Sequence, residues 1–151
     1  MSGNVIDELL QKLLSNDFFK LPPPKSTGRD LFSLDWLNTH LQDSYTPQDV
    51  QRTLLAFTAQ SIADAVLRHA KDTQEIYLCG GGAYNTALFE CLQQLLHPTK
   101  IALSDELGIR VDAVEAAAFA WLARQALMRA PGNLPAVTGA DGLRVLGAIY
   151  A

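Results

Sequence analysis

The sequence has no cluster of lysines and arginines and no long apolar run. Its 12 basic residues are outnumbered by 16 acidic ones, and the net charge of −4 argues against a nucleic-acid-binding surface. No apolar stretch approaches the roughly 20 residues that a helix needs to span a bilayer. The opening segment, MSGNVIDELL, carries acidic residues in its first apolar stretch, which is not typical of a secretory signal. We therefore expect a cytoplasmic protein with no nucleic-acid or membrane partner.

Cysteine and histidine are also scarce. Cys79 and Cys91 are the two cysteines, and both lie in apolar surroundings. Because cysteine often behaves as a small buried hydrophobe, we expect two free thiols rather than a disulfide. His40, His69 and His97 are far apart and have no metal-ligand spacing to a cysteine or to one another. We therefore expect no metal site in this chain.

The composition is that of a folded domain. Hydrophobic residues make up 48% of the 151 residues and charged residues 19%, which is ordinary for a globular protein. A chain of this length can bury a substantial core. No internal repeat or low-complexity tract divides it. We expect a single domain over residues 1–151.

Three helices are predicted in the first half. Apolar residues at helical spacing indicate a helix over 3–19, which ends before the prolines of KLPPPKSTGRD. Ser33 is the expected N-cap of a short helix. Thr46, followed by Pro47, opens the strongest helical pattern, which continues to about Ala70.

The periodicity then changes to that of a strand, a helix and a second strand. EIYLC (75–79) reads as a buried strand, NTALFECLQQLLH (85–97) as a helix and KIALS (100–104) as a strand. Two strands joined by a helical crossover are expected to be parallel. Asp112 is the expected N-cap of a further helix over 113–129, which is apolar on nearly all sides. Such a helix is typical of the domain interior or of an interface.

Three consecutive glycines follow the first strand, in the segment CGGGAYN. A glycine turn between a parallel strand and a helix lets the backbone approach a ligand closely, because no Cβ intervenes. The N–H groups at the start of the helix behind it suit anions or polar ligand edges. From the residues alone, contact with a nucleotide and a tight structural turn are both open interpretations.

Two known nucleotide motifs fit poorly or incompletely. PPPKSTG has no glycine loop before its lysine, so it is not a Walker A motif. In a dinucleotide fingerprint, Gly80 and Gly82 would be the first two glycines, but Asn85 stands where the third belongs. Asp105, after the second strand, lies roughly where a ribose-binding acid would be. A dinucleotide-binding domain of an oxidoreductase therefore remains an alternative.

CGGGAYN resembles the adenosine-binding motif of the sugar kinase, Hsp70 and actin superfamily. Together with PPKSTGRDLF, DVQRTLLAFTAQSIADAV, SDELGIRVDAVEAAAFAWLA and GNLPAVTGA, it is similar to the C-terminal part of the anhydro-N-acetylmuramic acid kinase family. The resemblance implies an α/β fold, the C-terminal domain of the actin-like ATPase (ribonuclease H-like) superfamily, with helices packed around parallel strands. It also implies the nucleotide-binding part of a two-domain sugar kinase.

The activity that this resemblance implies is an ATP- and Mg²⁺-dependent phosphorylation. Members of the family convert 1,6-anhydro-N-acetylmuramic acid, with water, to N-acetylmuramic acid 6-phosphate in the recycling of bacterial peptidoglycan. The family's general base, an aspartate, and its phosphate-binding loop lie upstream and have no match in this chain. We therefore expect the N-terminal domain to be absent, the isolated chain to be inactive, and no catalytic residue to lie within it. A non-catalytic interaction domain is a further alternative.

The resemblance also implies which residues bind ligands. The adenosine-binding residues would be Gly80, Gly81, Gly82, Ala83 and Asn85, although Asn85 could instead only cap the following helix. Lys25 and Arg29 could contact the sugar or a phosphate, or belong to a solvated loop whose polar groups cap a neighbouring helix.

Glu115 has two interpretations as well. It could face the sugar, or form a capping box with Asp112, and the two roles are compatible. A homodimer is expected only if one face of the 113–129 helix stays uncovered.

Overall fold

The computed structural model describes residues 3–150, so the terminal Met1, Ser2 and Ala151 of the expected single domain lie outside the described part. Helices and two short strands follow one another along the chain. Their bounds are α1 Asp7–Leu14, α2 Leu34–Asn38, α3 Pro47–His69, β1 Glu75–Leu78, α4 Thr86–Leu95, β2 Lys100–Leu103, α5 Val114–Leu127 and α6 Pro135–Thr138. Within residues 3–150, no helix combines the length and the apolar character that crossing a membrane would need.

The long helix α3 begins as the sequence predicts. The Thr46 hydroxyl accepts a hydrogen bond from the Asp49 N–H at 3.2 Å, and Pro47 occupies the first turn, where its missing N–H costs nothing. The helix ends at His69, as expected. Its buried face consists of small and apolar side chains together with one threonine, namely Thr53, Leu55, Ala59 and Ala63.

The N-terminal segment packs on α3 through both apolar and polar contacts. Leu9 and Leu13, one turn apart on α1, are fully buried. The Ile6 N–H donates to the Thr53 hydroxyl at 2.9 Å, which gives that buried side chain a partner. The predicted helix over 3–19 was too long, because α1 ends at Leu14 and Asn16 caps a separate 3₁₀ turn by accepting from the Phe18 N–H at 2.9 Å.

The strands pair in parallel, which confirms the predicted β-α-β unit. Ile76 lies opposite Ile101 in the register. Helices α3 and α4 pack together and against the sheet around one core cluster, which contains Ala59, Ala63, Leu92, Leu96 and Ile101. Each strand is one residue shorter than predicted. The described part of the fold is thus α/β with a two-stranded parallel sheet.

Both thiols are free, as predicted, but Cys79 lies exposed just beyond β1 rather than inside a buried strand. The exposure follows from the early end of β1 at Leu78, where the chain leaves the sheet to form the glycine turn. Cys91, on α4, is half-buried.

Two locations were predicted for α5, the domain interior or an interface, and the first was wrong for the described structure. None of its residues is buried. Phe119 is 64% exposed and Leu127 is 74% exposed. The other interpretation of that apolar pattern, an interface, stays a prediction.

The start of α5 also differs from the prediction. Asp112 does not cap the helix, since Ala113 is the N-cap residue and no side chain bonds to the first turn. The Asp112 carboxylate instead accepts two hydrogen bonds from the Arg110 guanidinium, at 3.0 and 2.7 Å. The predicted capping box with Glu115 was therefore wrong, because a charged partner two residues upstream holds the carboxylate.

Candidate functional site

The glycine turn lies at the carboxyl end of β1, where open parallel sheets place their ligands. Gly80 has φ of 75° and ψ of 179°, a backbone conformation that glycine adopts without the penalty of a Cβ. A 3₁₀ turn over Gly81–Tyr84 follows, and α4 begins at Thr86. The Asn85 side chain caps α4 by accepting from the Leu88 N–H at 3.2 Å. The capping interpretation of Asn85 is therefore confirmed, and its side-chain N–H₂ is left to face other groups.

A second segment of the chain holds the first glycine in place. The Gly80 N–H donates to the Val111 carbonyl at 2.9 Å. The Val111 N–H in turn donates to the Asp105 carboxylate at 3.1 Å. Asp105, considered as a ribose-binding acid in the dinucleotide interpretation, thus has a structural partner in its own chain. The glycine turn and the segment before α5 form one connected unit.

Packing within the described part of the chain does not require the second and third glycines. A Cβ added at Gly81 or Gly82 would meet no atom of residues 3–150 within 4 Å, and both residues are exposed. Their N–H groups, at the start of the 3₁₀ turn, donate to no acceptor among residues 3–150. Free N–H groups on a backbone without side chains are the arrangement that a polar or anionic ligand can approach closely.

A cavity of about 370 Å³ opens beside the turn. Its size is within the range of small-molecule sites. Ala83, at its edge, is buried, while the neighbouring Tyr84 is 63% exposed. The lining combines apolar surface with carboxylate, amide and hydroxyl groups, from Ala83, Thr86, Phe89, Glu90, Gln93 and Leu103.

Sequence reasoning missed the α4 side of this cavity. Thr86, Phe89, Glu90 and Gln93 are spaced i, i+3, i+4 and i+7, so they share one helix face. That spacing was visible in the sequence. What was not visible was that this face, although mostly exposed, borders an open cavity together with Ala83 and Leu103.

Lys25 is held by backbone groups away from the glycine turn. Its ammonium donates to the Phe18 carbonyl at 2.9 Å and to the Phe19 carbonyl at 3.3 Å, and lies 4.8 Å from the centre of the Phe18 ring. These carbonyls belong to the 3₁₀ turn over Asp17–Lys20, so Lys25 caps that turn. This contact matches the interpretation of a loop whose polar groups cap a neighbouring helix.

Arg29 lines a separate open groove of about 790 Å³. Phe32, Trp36 and Phe57 form much of that groove and pack against one another edge to face or tilted. Neither Arg29 nor Lys25 lines the cavity beside the glycine turn. The structure therefore places these two residues on another part of the surface.

Glu115 is exposed in the first turn of α5 and makes no hydrogen bond or ion pair with any residue from 3 to 150. The Arg110 guanidinium, by its hydrogen bonds to Asp112, holds the pKa of that carboxyl below its ordinary value. Asp112 correspondingly raises the pKa of Arg110. The pair keeps both charges at neutral pH beside the segment that anchors Gly80.

The acidic, histidine and cysteine side chains of the described residues are scattered over the structure. Between Gly3 and Tyr150, no three histidine, cysteine, aspartate or glutamate side chains come close enough together to hold a metal ion. A divalent ion at the glycine turn would therefore depend on groups other than a carboxylate cage of this chain.

Comparison with known proteins gives one consistent result. The family model for anhydro-N-acetylmuramic acid kinase matches residues 1–151. The chain is 58% identical over 149 residues to the anhydro-N-acetylmuramic acid kinase of Nitrosomonas europaea, covering 99% of this chain and 41% of that relative. It is 52% identical over 149 residues to the same-named protein of Nitrosospira multiformis, with 99% and 41% coverage.

A third relative gives the same result. The anhydro-N-acetylmuramic acid kinase of Pseudomonas syringae pv. syringae is 51% identical over 151 residues, with 99% of this chain and 42% of the relative covered. The chain thus spans about two fifths of the length of the curated relatives that it matches. A family model that matches the whole chain and relatives of such high identity lead to one assignment: the chain belongs to the anhydro-N-acetylmuramic acid kinase family.

Proposed function

We propose that this chain is the nucleotide-binding part of a kinase that converts 1,6-anhydro-N-acetylmuramic acid, ATP and water to N-acetylmuramic acid 6-phosphate. The reaction would serve peptidoglycan recycling in the cytoplasm. The observation that carries the proposal is the glycine turn, in which Gly81 and Gly82 have exposed N–H groups that bond to nothing in residues 3–150, and in which a Cβ at either glycine would contact none of those residues. The name shared by the matched relatives supports the reaction.

In this proposal the glycine turn and the cavity beside it bind the adenosine portion of ATP. The N–H groups of Gly81 and Gly82 would donate to the nucleotide, and Asn85 would present its side-chain N–H₂ while its oxygen caps α4. Gly80 would shape the turn, and Ala83 would line the cavity. When bound, ATP supplies the phosphoryl group and Mg²⁺ neutralises phosphate charge. The α/β arrangement agrees with the C-terminal domain of an actin-like ATPase (ribonuclease H-like) fold.

The sugar-contacting residues in this proposal are Glu115 and, on a separate surface, Arg29 and Lys25. Glu115 has the best support, because its carboxylate has no partner among residues 3–150 and α5 begins three residues after Val111, which holds Gly80. Arg29 projects its charge beside an open groove. Lys25 has the weakest support, since two backbone carbonyls already accept from its ammonium.

Catalysis would require residues from outside this chain. The described residues offer no aspartate beside the glycine turn free to act as a base, since Asp105 and Asp112 are both bonded within the chain. A general base must be within reach of the proton that it takes. We therefore propose that the isolated chain binds nucleotide but transfers no phosphoryl group.

The two alternatives have less support. The oxidoreductase interpretation relied on Asp105 as a ribose acid, and that carboxylate accepts from the Val111 N–H. None of the relatives described above carries the name of an oxidoreductase. A purely non-catalytic interaction domain does not explain why the glycine turn is open to a ligand.

Calorimetric titration of the chain with MgADP and MgATP tests the proposal, with NAD as the competing ligand. We expect binding of the adenine nucleotides, lost in Gly81→Val. Because a Cβ at this exposed position meets no atom of residues 3–150 within 4 Å, the variant should stay folded, so loss of binding would report on the ligand. Ala136→Val, which also adds an exposed valine, is the matched control and should bind as the parent does. Binding of NAD alone, or unchanged binding in Gly81→Val, would contradict the proposal.

A further inference from the structure

A small cavity lies beside the carboxyl end of α3, separate from the cavity at the glycine turn. Its volume is about 100 Å³, and the two cavities share no lining residue. The 3₁₀ turn over Asp17–Lys20, the loop after it and the last turns of α3 supply most of its lining. This volume is below the range of sites for drug-sized molecules, so the cavity fits a small ion better than a nucleotide or a sugar.

The charges that line this cavity are mostly positive. Lys20, Lys25 and Arg68 carry positive charges at neutral pH, and His69 adds another when it is protonated. Asp64 contributes a negative charge, and one of its oxygens already accepts a hydrogen bond of 2.7 Å from a glutamine side chain one turn earlier. The whole chain has a net charge of −4. The local excess of positive charge therefore does not follow from the composition.

Two of these cations are held in place by backbone carbonyls and still have unused donors. The Lys25 ammonium has three N–H groups, and the carbonyls of Phe18 and Phe19 accept from it. The Arg68 guanidinium donates through Nη1 to the same Phe19 carbonyl at 2.8 Å, and its other N–H groups make no hydrogen bond with residues 3–150. Because both side chains are already ordered, an anion that binds between them costs little of their conformational entropy.

A guanidinium and an ammonium at one small cavity form an arrangement that recognises oxyanions. The planar arginine can donate to two oxygens of a phosphate, and the lysine neutralises charge. Leu14 and Ala65 also line the cavity and reduce its contact with water, which strengthens interactions between charges. We propose that this cavity binds a phosphate group between Arg68 and Lys25, either as free phosphate or as part of a phosphate monoester. The site is independent of the proposed function, in which Lys25 had the weakest support as a sugar contact.

Titration of the ¹⁵N-labelled chain with potassium phosphate at pH 7, followed by NMR, tests the proposal. Potassium chloride keeps the ionic strength constant. We expect saturable shifts of the Arg68 Nε–H and of the backbone amides of residues 61–69, with a dissociation constant in the millimolar range. A second titration with methyl phosphate identifies the source of the group: tighter binding of methyl phosphate indicates a monoester, and tighter binding of inorganic phosphate indicates the free ion.

Two substitutions in the cavity should weaken phosphate binding. Arg68→Gln should raise the dissociation constant at least about tenfold, because a charge-assisted hydrogen bond is lost. Lys20→Gln should raise it about twofold, through loss of one exposed charge. The Lys20 ammonium bonds to the exposed Asp17 carboxylate at 2.7 Å, so this second variant should stay folded even if the loss of the Arg68 contact to Phe19 disturbs the first.

Two control variants separate this cavity from other charged or anion-binding surfaces. Arg52→Gln removes the same charge from the same helix, about 24 Å away along the axis at 1.5 Å per residue, and should bind phosphate as the parent does. Gly81→Val should do so too, although we expect it to lose adenine nucleotides. The phosphate titration can therefore fail while nucleotide binding stands, and the reverse.

Three outcomes would overturn the proposal. One is a set of shifts that grow linearly with phosphate or that potassium chloride alone reproduces, since these report ionic screening rather than a site. Another is equal affinity for phosphate in Arg68→Gln and the parent. The third is saturable shifts confined to the glycine turn that Gly81→Val abolishes, because phosphate would then bind there instead.

Discussion

Two regions of this molecule contain similar kinds of side chain and bury them very differently. From Gly3 to Val111, helices α1, α3 and α4 and the parallel strands surround common cores, and leucines such as Leu9 and Leu92 are almost completely shielded from water. From Asp112 to Tyr150, α5 and the segment that returns beside it expose most of their large apolar residues. The contrast shows that apolar composition sets the capacity for burial, whereas packing partners decide whether burial occurs.

The two regions differ in the number of secondary-structure elements that pack against each helix. Helix α3 contacts α1 and α4, and α4 also contacts the sheet. Within residues 3–150, helix α5 makes no extensive contact with another helix or strand, and Gly132 and Gly147 of the irregular segment after it approach Leu122 and Ala126. An alanine-rich helix such as α5 allows a close approach, but no second layer stands against it here. Its apolar surface therefore suits an interface better than an independent core.

The largest expected change in stability comes from truncating a leucine in the buried region, compared with the same truncation in the exposed region. Leu92→Ala should lower the free energy of unfolding by about 2–5 kcal/mol, because a buried leucine leaves a cavity. Leu127→Ala should change it by less than about 0.5 kcal/mol, since that side chain is already in water. Urea denaturation measures both. Similar losses in the two variants would remove the distinction between the regions.

A smaller effect is expected at the junction of the N-terminal segment with α3. Thr53→Val keeps the shape of a fully buried side chain but leaves the Ile6 N–H without its acceptor. The loss should be about 1–3 kcal/mol, the cost of an unsatisfied buried donor. Thr58→Val is the matched control, because that exposed hydroxyl bonds only to the Leu54 carbonyl of its own helix. An equal loss in the control would mean that helix propensity, not the docking contact, matters.

The smallest expected effect is on how the free energy of unfolding depends on pH in acidic solution. The Asn4 N–H, and then the Thr46 hydroxyl, donate to Asp49 and hold its pKa below the ordinary 3.8. A carboxyl with a lowered folded pKa stabilises the protein fully above the unfolded value, and this contribution is lost as pH falls through the folded one. Asp49→Asn should therefore flatten the dependence of stability on pH below about 4.

Urea denaturation between pH 7 and pH 3 provides the measurement. Asp72→Asn removes the same charge from a side chain that makes no hydrogen bond with residues 3–150, and it serves as the control. If stability falls with pH as steeply in Asp49→Asn as in the parent protein, then Leu9 and Leu13, rather than this carboxylate, mainly hold the N-terminal segment on α3.

Much of the first region could be predicted from local sequence. The starts of α3 and α2 were predicted correctly from Thr46 with Pro47 and from Ser33. The change of hydrophobic period after Ala70 correctly indicated the two parallel strands. The site was predictable in part. The glycine turn stands where the spacing indicated, but the cavity-lining face of α4 and the tie from Gly80 to Val111 depend on segments that are distant along the chain.

The sequence by itself determined the features that neighbouring residues decide: the caps of α3 and α2, the crossover that makes the strands parallel, and the special conformation at Gly80. Only the tertiary structure decided that the Gly80 N–H meets the Val111 carbonyl, that the Ile6 N–H meets the Thr53 hydroxyl and that α5 is exposed. Caps and periodicity act over a few residues and are written locally. Burial and long-range hydrogen bonds depend instead on which elements, distant along the chain, pack beside a residue.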